Sequence, residues 1–312
     1  MKKKLISILI PFYNEKESLR DIVSEIKKIE KKIYKNYLFE IILLDNHSND
    51  SSNEIGLSIS SKDPSIKYFR LSRNFGYQAN ILSGYNICKG DAAIQIDADG
   101  QDDPSLIIKF ISKWEEGYKV VYGIRKNRRE NIFIKFIRKI FYRMLYYISE
   151  INIPIDAGDF RLIDRKVINH LKKFKERNLY LRGIFSYIGF EQIGIEYDRK
   201  SRKKGKSKFN LYSYFGLAFI AIISFSKKPL LFIFFSGFLL FSISLTLLIY
   251  YFLNYLSGNI TEPGFPTIVL ILLTFFGLTF LYLGIMSLYI AQIHDEVKKR
   301  PLYIPENNEK ED

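Results

Sequence analysis

The sequence has little sulfur and few histidines. Among its 312 residues Cys88 is the single cysteine, and three residues are histidines. One cysteine excludes a disulfide framework and a cysteine metal site within the chain, so Cys88 is interpreted as a small core residue. His47 has no second histidine nearby in the sequence, which favours a turn residue over a metal ligand.

Two glycine motifs that bind nucleotides are missing as well. No Gly-x-Gly-x-x-Gly occurs, so a dinucleotide-binding fold has no support. Gly205-Lys206-Ser207 ends like a P-loop, but Lys200 stands where that loop requires its first glycine. We therefore do not expect a P-loop in this chain.

The first apolar run of the chain is short. Lys2 to Lys4 precede six mostly apolar residues, Leu5–Ile10, before Pro11 ends the run. The core of a secretory signal peptide is longer than this. The run is instead typical of a buried strand.

Charged residues are absent from two long stretches. Residues 230–253 and 267–293 contain no Asp, Glu, Lys or Arg, although charged residues make up 26% of the chain. A helix of about 24 residues rises about 36 Å, which exceeds the roughly 30 Å hydrocarbon core of a bilayer. We therefore predict two transmembrane helices. Basic residues at 227–228 and 298–300 flank the pair and the connecting loop 254–266 has none, so the positive-inside bias places the loop outside and both chain ends in the cytoplasm.

The net charge of +14 admits three kinds of partner: nucleic acid, anionic lipid or phosphorylated substrates. The two apolar stretches favour lipid and phosphate. Residues 132–147 mix aromatic and aliphatic side chains with cations, which suits either an amphipathic helix on a membrane surface or a core helix with a basic edge. Residues 209–229 are predicted to form a juxtamembrane helix, for which the same two interpretations are open. Residues 294–312 are predicted to form a cytoplasmic tail.

Residues 1–208 are predicted to form one α/β domain. Its strands alternate with helices near 18–33 and 78–88, and we expect the strands at 5–10, 40–44, 67–71, 92–96 and 120–123. This alternation favours a mostly parallel sheet with helices on both faces. Ligands bind such sheets at the carboxyl ends of the strands. Two polar clusters, 45–52 and 97–103, lie at such ends.

Asp97-Ala98-Asp99 directly follows one of the predicted strands. Two carboxylates one residue apart can converge on one divalent cation, Mg²⁺ or Mn²⁺, which also takes phosphate oxygens of a substrate as ligands. Such a cation neutralises charge on a departing nucleotide diphosphate. The alternative is a solvated turn.

Three further segments could contact a substrate. Residues 45–50 offer short polar side chains to a nucleobase and ribose, or simply form a tight turn. Gly158-Asp159-Phe160-Arg161 sets two charges around an aromatic residue. Residues 199–208 carry seven lysines and arginines around Gly205, which suits phosphate binding, a solvated basic loop or a nucleic-acid patch.

In their order along the chain, these segments resemble the inverting glycosyltransferases of family two, whose fold is called GT-A. The resemblance begins with Ile-Leu-Ile-Pro-Phe-Tyr-Asn-Glu at 8–15. It is more specific for the polyprenyl-phosphate branch, which includes dolichyl-phosphate mannose synthases and bactoprenol glucosyltransferases. The segments similar to that branch lie at 71–76, 97–102, 121–125, 158–162, 182–183, 202–208, 224–229 and 300–303.

The resemblance implies transfer of one sugar from a nucleotide-sugar donor, UDP-linked by family analogy, to undecaprenyl or dolichyl phosphate. The transfer inverts the anomeric carbon at the cytoplasmic face of a bacterial membrane and supplies cell-envelope glycans. The residues implied in donor binding are Pro11, Tyr13, Glu15, Asp45, Asp97 and Gln101. Those implied in catalysis are Asp99, Arg125 and Asp159, with Asp97 and Asp99 as ligands of Mg²⁺ or Mn²⁺. Those implied in binding the lipid phosphate are Arg161, Arg202, Ser207 and Lys208.

The role of Asp159 is left open between a general base and a positioning group. A lipid phosphate monoester is mostly dianionic at neutral pH, because its second pKa is about 6. It therefore needs little help from a general base.

Two departures from the family also matter. Asn46 stands where a second Asp is common, which leaves the selectivity for the nucleobase open. Gly100 and Asp103 replace a commoner Leu and Pro.

Three other functions are alternatives to this sugar transfer. A processive polysaccharide synthase carries Gln-x-x-Arg-Trp, and Trp114, the single tryptophan, lacks that context. An inactive scaffold subunit is disfavoured by the intact Asp97, Asp99 and Asp159, although Asn46 leaves it open. A membrane-tethered nucleic-acid binder has no support beyond basic charge, so no nucleic-acid partner is expected. A homo-oligomer is left open.

Overall fold

The structure is a computed structural model. It describes residues 3–125, 157–177, 179–198 and 265–306, and between them the helical or turn residues 233, 235–240, 242–243, 246, 249–250, 253 and 256–257. The two predicted amphipathic helices, 132–147 and 209–229, lie outside the described residues, and so does the basic loop 199–208.

In the part of the chain that the structure describes, seven strands form one sheet in the order β3-β2-β1-β4-β6-β5-β7. All neighbouring pairs are parallel except the two that involve β6, which is antiparallel to both β4 and β5. The mostly parallel sheet is therefore confirmed. The strands are β1 (Lys4–Phe12), β2 (Tyr37–Asp45), β3 (Ile66–Arg70), β4 (Ala92–Gln95), β5 (Val120–Arg125), β6 (Ala157–Asp164) and β7 (Gln192–Tyr197).

Helices cover both faces of the sheet, as the sequence pattern predicts. The bounds of the helices are α1 (Leu19–Ile33), α2 (Ser52–Ser60), α3 (Tyr77–Ile87), α4 (Leu106–Glu115), α5 (Arg165–Leu171), α6 (Leu181–Ile188) and α7 (Phe265–Val297). Side chains from α1 and α4 join one buried cluster, and those from α3, α5 and α6 join a second. Successive residues of a strand point to opposite faces, so Ile41 and Leu43 of β2 enter the first cluster while Ile42 and Leu44 enter the second.

The five predicted strands and two predicted helices are confirmed with small shifts of their ends. The segment Gly158-Asp159-Phe160-Arg161 is part of strand β6. Its direction is antiparallel to β4, where Gln95 lies opposite Arg161 and Ala93 opposite Ile163. A strand that runs against its neighbours begins at the edge where they end. Asp159 is thereby brought to the carboxyl edge of the parallel strands.

Helix α7 carries the second predicted span, 267–293. Within the part of the chain that the structure describes, one stretch, Phe275–Val297, is long and apolar enough to cross a membrane. The Tyr282 hydroxyl donates a 2.8 Å hydrogen bond to Ser236 Oγ, so α7 contacts the stretch predicted as the first span. The described residues of 230–253 are helical, but they are too scattered to confirm that span, which stays a prediction.

After α7 the chain returns to the α/β domain. The Ser72 amide donates to the Ile304 carbonyl at 2.9 Å, and the Glu306 amide donates to the Arg70 carbonyl at 2.9 Å. Leu71 and Pro305 form an antiparallel bridge between these two bonds. The segment 301–306 thus lies along edge strand β3 and the residues that follow it.

Candidate functional site

The chemically interesting side chains gather at one edge of the sheet. Strands β1, β2, β4 and β5 run in one direction and end there, and the antiparallel β6 begins there. This edge therefore collects the residues after β1, β2 and β4, together with Asp159 near the start of β6. The polar clusters 45–52 and 97–103 lie at this edge, where the sequence places them.

Asp97 is a partly buried carboxylate of the predicted metal motif and follows the end of β4. Its Oδ1 accepts a 2.5 Å hydrogen bond from the Tyr77 hydroxyl, which in turn accepts a 3.0 Å bond from Gln95 Nε2. The pKa of Asp97 is raised to about 7, first by burial and then by the nearby negative charges of Asp102 and Asp99, while the hydrogen bond from Tyr77 opposes this rise. An excess of negative charge with little water is an environment that a cation would stabilise.

The turn after Asp97 is fixed by its own backbone. Gly100 has a φ of +68°, a left-handed conformation that glycine adopts without strain. The Gln101 amide donates a 3.1 Å hydrogen bond to Asp99 Oδ1. Gly100 thus lets the chain fold back on the Asp99 carboxylate.

The donor set at this turn fits a cation that shares its ligands with a phosphate. Among the described residues, no group of three or more His, Cys, Asp or Glu side chains is placed to hold a metal ion by itself. Asp97 and Asp99 supply hard carboxylate oxygens, which suit Mg²⁺ or Mn²⁺. Magnesium is commonly held by one or two carboxylates together with substrate phosphates, so two carboxylates suffice for such a site.

Asp159 is held by an arginine that the sequence analysis did not assign to a role. Arg182 Nε donates to Asp159 Oδ1 at 2.8 Å, and a terminal nitrogen of Arg182 donates to Oδ2 at 2.7 Å. The two parallel bonds use the planar fork of the guanidinium and fix the carboxylate in orientation. The side chain of Asp159 is 14% exposed and that of Arg182 is 25% exposed, so the pair is partly open to solvent. We call the region between this pair and the Asp97–Asp99 turn the cleft. Arg182-Gly183 belongs to the family resemblance, and that was the available signal.

Arg161 lies in the core behind Asp159. It is 4% exposed, its guanidinium donates a 2.7 Å bond to the Gly158 carbonyl, and it lies 5.0 Å from the centre of the Phe185 ring. Burial lowers the pKa of the Arg161 guanidinium, while the nearby charge of Asp159 raises it. The binding of a lipid phosphate by Arg161 stays a prediction, and these contacts favour a supporting position beneath Asp159 instead.

Asp45 is fully buried at the end of β2 and has three polar neighbours. Its Oδ1 accepts a 2.7 Å bond from the Ser48 amide, and its Oδ2 accepts a 2.6 Å bond from the Tyr68 hydroxyl. Arg70 Nε lies 3.7 Å from Oδ2. Burial and the Asp45 carboxylate raise the pKa of the Tyr68 phenol. The carboxylate therefore holds the turn after β2 in place.

Asn46 uses both ends of its side-chain amide. Its Oδ1 accepts a 3.0 Å bond from the Phe75 amide, and its Nδ2 donates a 2.9 Å bond to Asn74 Oδ1. The Gly76 amide also donates to Asn74 Oδ1, at 2.9 Å. Backbone N–H groups donate only, so they fix which end of each amide is oxygen. Asn46 thus joins the turn after β2 to the loop before α3, a task that needs a donor and an acceptor.

The loop after β1 is held against the loop after β2. The Asn14 amide donates to Ser48 Oγ at 3.0 Å, and the Glu15 amide donates to Ser52 Oγ at 2.8 Å. The Tyr13 hydroxyl accepts a 3.3 Å bond from Asn49 Nδ2. Asn14 has a φ of +56°, so the chain turns sharply here. Tyr13 and Glu15 are thereby held against the turn that follows Asp45.

The other predicted site residues are placed as follows. Pro11 is buried within β1 and lies opposite Leu44 of β2. The backbone of Arg125 ends β5 at the same edge of the sheet. Arg202, Ser207 and Lys208 lie outside the described residues. His47 adopts a φ of +63° and its Nδ1 lies 3.1 Å from the Leu71 carbonyl, as suits a turn residue.

Comparison with known proteins gives one family and a set of relatives. The family described as "Glycosyl transferase family 2" matches residues 7–172. "Uncharacterized glycosyltransferase YkcC" of Bacillus subtilis (strain 168) is 39% identical over 299 residues, covering 96% of this chain and 92% of that protein. "Uncharacterized glycosyltransferase sll0501" of Synechocystis sp. (strain ATCC 27184 / PCC 6803 / Kazusa) is 34% identical, covering 96% and 94%. "SfII prophage-derived bactoprenol glucosyl transferase" of Shigella flexneri is 32% identical, covering 96% of each.

Proposed function

Because the chain belongs to glycosyl transferase family 2, we propose that this glycosyltransferase moves one sugar from a nucleotide sugar to a polyprenyl phosphate. The proposal rests on one observation above all. The carboxylates after β4 and the Asp159–Arg182 pair of β6 and α6 meet at one edge of the sheet. A donor diphosphate and an acceptor phosphate can therefore be held in one site, with the sugar between them.

The donor side of this cleft consists of Tyr13, Glu15, Asp45, Asp97 and Asp99, which we call the donor pocket. Asp97 and Asp99 would hold a divalent cation, whose chemistry is to stabilise charge on the departing nucleotide diphosphate. Tyr77 keeps the Asp97 carboxylate in one orientation through its 2.5 Å hydrogen bond. We favour a UDP-linked donor by analogy with the family.

The acceptor side consists of Asp159 and Arg182. A phosphate monoester is mostly dianionic at neutral pH, so the attacking oxygen is already deprotonated. We propose that Asp159 orients Arg182 through their two hydrogen bonds, and that the other N–H groups of the Arg182 guanidinium donate to the acceptor phosphate. Direct attack from this side, opposite the leaving diphosphate, inverts the anomeric carbon.

A lipid acceptor is supported by a relative and by α7. The Shigella flexneri relative bears the name of a bactoprenol glucosyl transferase and is similar along nearly its whole length. Helix α7 is apolar and long enough to bring the cleft to a bilayer.

The pairing of residues 301–306 with β3 supports a second crossing. The α/β domain and the segment after α7 touch, so they lie on the same side of any membrane that α7 crosses. The chain between residues 198 and 265 must then cross once more. The charge-free stretch 230–253 is the segment we assign to that crossing, with the catalytic domain and both chain ends in the cytoplasm.

The test supplies the enzyme with both substrates. Membranes that contain the protein are incubated with labelled nucleotide sugars and undecaprenyl phosphate. We expect a lipid-extractable, acid-labile product that carries one sugar. It should be lost in Asp99→Ala and kept in Glu25→Ala, which removes an exposed carboxylate from α1. The anomer of the product, assigned by NMR, tests inversion.

Two outcomes would favour other functions. A polymer of many sugars in place of the single addition would indicate a processive synthase. No product with any nucleotide sugar would favour an inactive scaffold.

A further inference from the structure

The segment 301–306, which we call the strap, closes the open edge of the sheet next to the donor pocket. Among the strands that the structure describes, β3 is the last on its side of the sheet, so its outer N–H and C=O groups face none of the other six. The strap satisfies the Ser72 amide and the Arg70 carbonyl with 2.9 Å hydrogen bonds on either side of the Leu71–Pro305 bridge. It therefore acts as a short antiparallel strand at that edge.

Apolar contacts fix the strap as well. Leu302 and Tyr303 pack against the second buried cluster. The Tyr303 ring lies edge-on to Phe69 with ring centres 6.4 Å apart, and its hydroxyl accepts a 2.9 Å bond from Asn86 Nδ2. Tyr303 thus ties the strap to both β3 and α3.

A row of three charges leads from the strap into the donor pocket. Glu306 Oε2 lies 2.8 Å from Arg70 Nε, and the same nitrogen lies 3.7 Å from Asp45 Oδ2. A terminal nitrogen of Arg70 donates to the Ser48 carbonyl at 3.2 Å. The Glu306 side chain is 44% exposed while that of Asp45 is fully buried. The outer carboxylate therefore holds the guanidinium against the turn that carries the inner one.

We propose that Glu306 is a positioning residue for donor binding: through Arg70 it fixes Asp45 and the turn 45–48 in the conformation that receives the nucleotide. This inference rests on the proposed function, because it takes Asp45 as part of the donor pocket. The strap follows α7 directly, so the membrane anchor and the donor pocket share one element. Detachment of the anchor then weakens donor binding even when the acceptor is soluble.

The test compares three variants of the full-length protein in membranes. Glu306→Gln removes the charge and keeps the shape and the backbone pairing. Deletion of 301–312 removes the strap, and deletion of 309–312 is the matched control that keeps it. Initial rates are measured against the nucleotide sugar that the wild type accepts, at saturating undecaprenyl phosphate, and the affinity for UDP with Mg²⁺ is measured by calorimetry.

We expect Glu306→Gln to raise the KM for the donor about three- to fivefold with kcat within about twofold, as suits the loss of a half-exposed ion pair. Deletion of 301–312 should raise it by about tenfold or more, because the backbone pairing is lost too. Hydrogen exchange at the Ser72 amide should accelerate in that deletion alone.

Several outcomes would overturn the inference. An unchanged donor KM and UDP affinity in Glu306→Gln, with an active wild type, would refute it while leaving the proposed function intact. A fall in kcat together with a lower melting temperature would show that Glu306 supports the fold as a whole. An inactive wild type would refute the proposed function, and the UDP affinities would then still decide whether the strap shapes the pocket.

Discussion

Replacement of Asn46 by aspartate tests the joint between the turn after β2 and the loop before α3. Asn46 is 5% exposed, and its Nδ2 donates to Asn74 Oδ1 at 2.9 Å. An ionised carboxylate would place two acceptors face to face. The bond from the Phe75 amide would remain, because that bond needs an acceptor only.

The expected cost follows from these contacts. The buried carboxylate at position 46 would keep one donor and would face the Asn74 oxygen instead of donating to it, which costs about 1–3 kcal/mol of the free energy of unfolding. Asn74 itself is exposed and keeps its bond from the Gly76 amide. For a domain of this size that loss lowers the melting temperature by roughly 3–10 °C. The enzyme should also lose donor affinity, since the displaced loop borders the donor pocket.

The loss of stability in Asn46→Asp should depend on pH. Burial and the facing oxygen disfavour the charged form, so the pKa of the new carboxyl group in the folded protein lies above its unfolded value of about 3.9. The protonated form can donate to Asn74 Oδ1 again. The destabilisation therefore grows as the pH rises above the unfolded pKa and is complete above the folded one.

The assay is thermal unfolding in detergent at matched scan rates, at pH 5 and pH 8. Asn46→Asp should be further below the wild type at pH 8 than at pH 5. Asn46→Ala is the control, because it loses both hydrogen bonds at every pH and its deficit should stay constant. Equal deficits of Asn46→Asp at the two pH values would refute the role that we give to the amide donor.

Three further predictions concern other contacts. The lysine of Arg182→Lys cannot form the two parallel hydrogen bonds to Asp159, so this variant should lower the transfer rate about 10- to 100-fold. Arg182→Ala should lower the rate further. Rates equal to that of the wild type would show that the two bonds are not needed. Tyr77→Phe removes the hydrogen bond that orients Asp97, so the Mg²⁺ concentration for half-maximal activity should rise severalfold, and an unchanged Mg²⁺ titration would contradict that role. Burial raises the pKa of Glu40, but hydrogen bonds led by that from Lys67 hold it below its ordinary value, so this stabilisation is present at pH 7 and fades as the pH falls through the folded pKa. Glu40→Gln should therefore lower the melting temperature at pH 7 and converge with the wild type near pH 3, and a deficit that persists there would refute the ionic explanation.

The sequence predicted the sheet and its metal motif because both are local patterns. Runs of apolar residues with polar clusters at their ends predict buried strands and their carboxyl ends, and β1, β2 and β4 are found within a few residues of the predicted bounds. Asp97 and Asp99 follow one such strand, so their place at the cleft needed no knowledge of distant contacts. Charge-free length alone likewise predicted the apolar helix α7.

The partners of those residues could not be predicted in the same way. Arg182 meets Asp159 because β6 is inserted antiparallel between β4 and β5 and α6 packs beneath it, an arrangement that no strand pattern indicates. Asn46 was interpreted only as a departure from the family, and the structure shows that both ends of its amide are used.

The contact that the sequence was least able to predict lies near the end of the chain. Glu306 reaches Arg70 across 236 positions of sequence, because the chain returns from α7 to pair with an open strand edge. Hydrophobic periodicity in the sequence indicates which residues are buried, and the layers of helices and sheet could therefore be predicted from it. Hydrogen-bond and charge partners depend on which surfaces meet when those layers pack, and only the tertiary structure decided them.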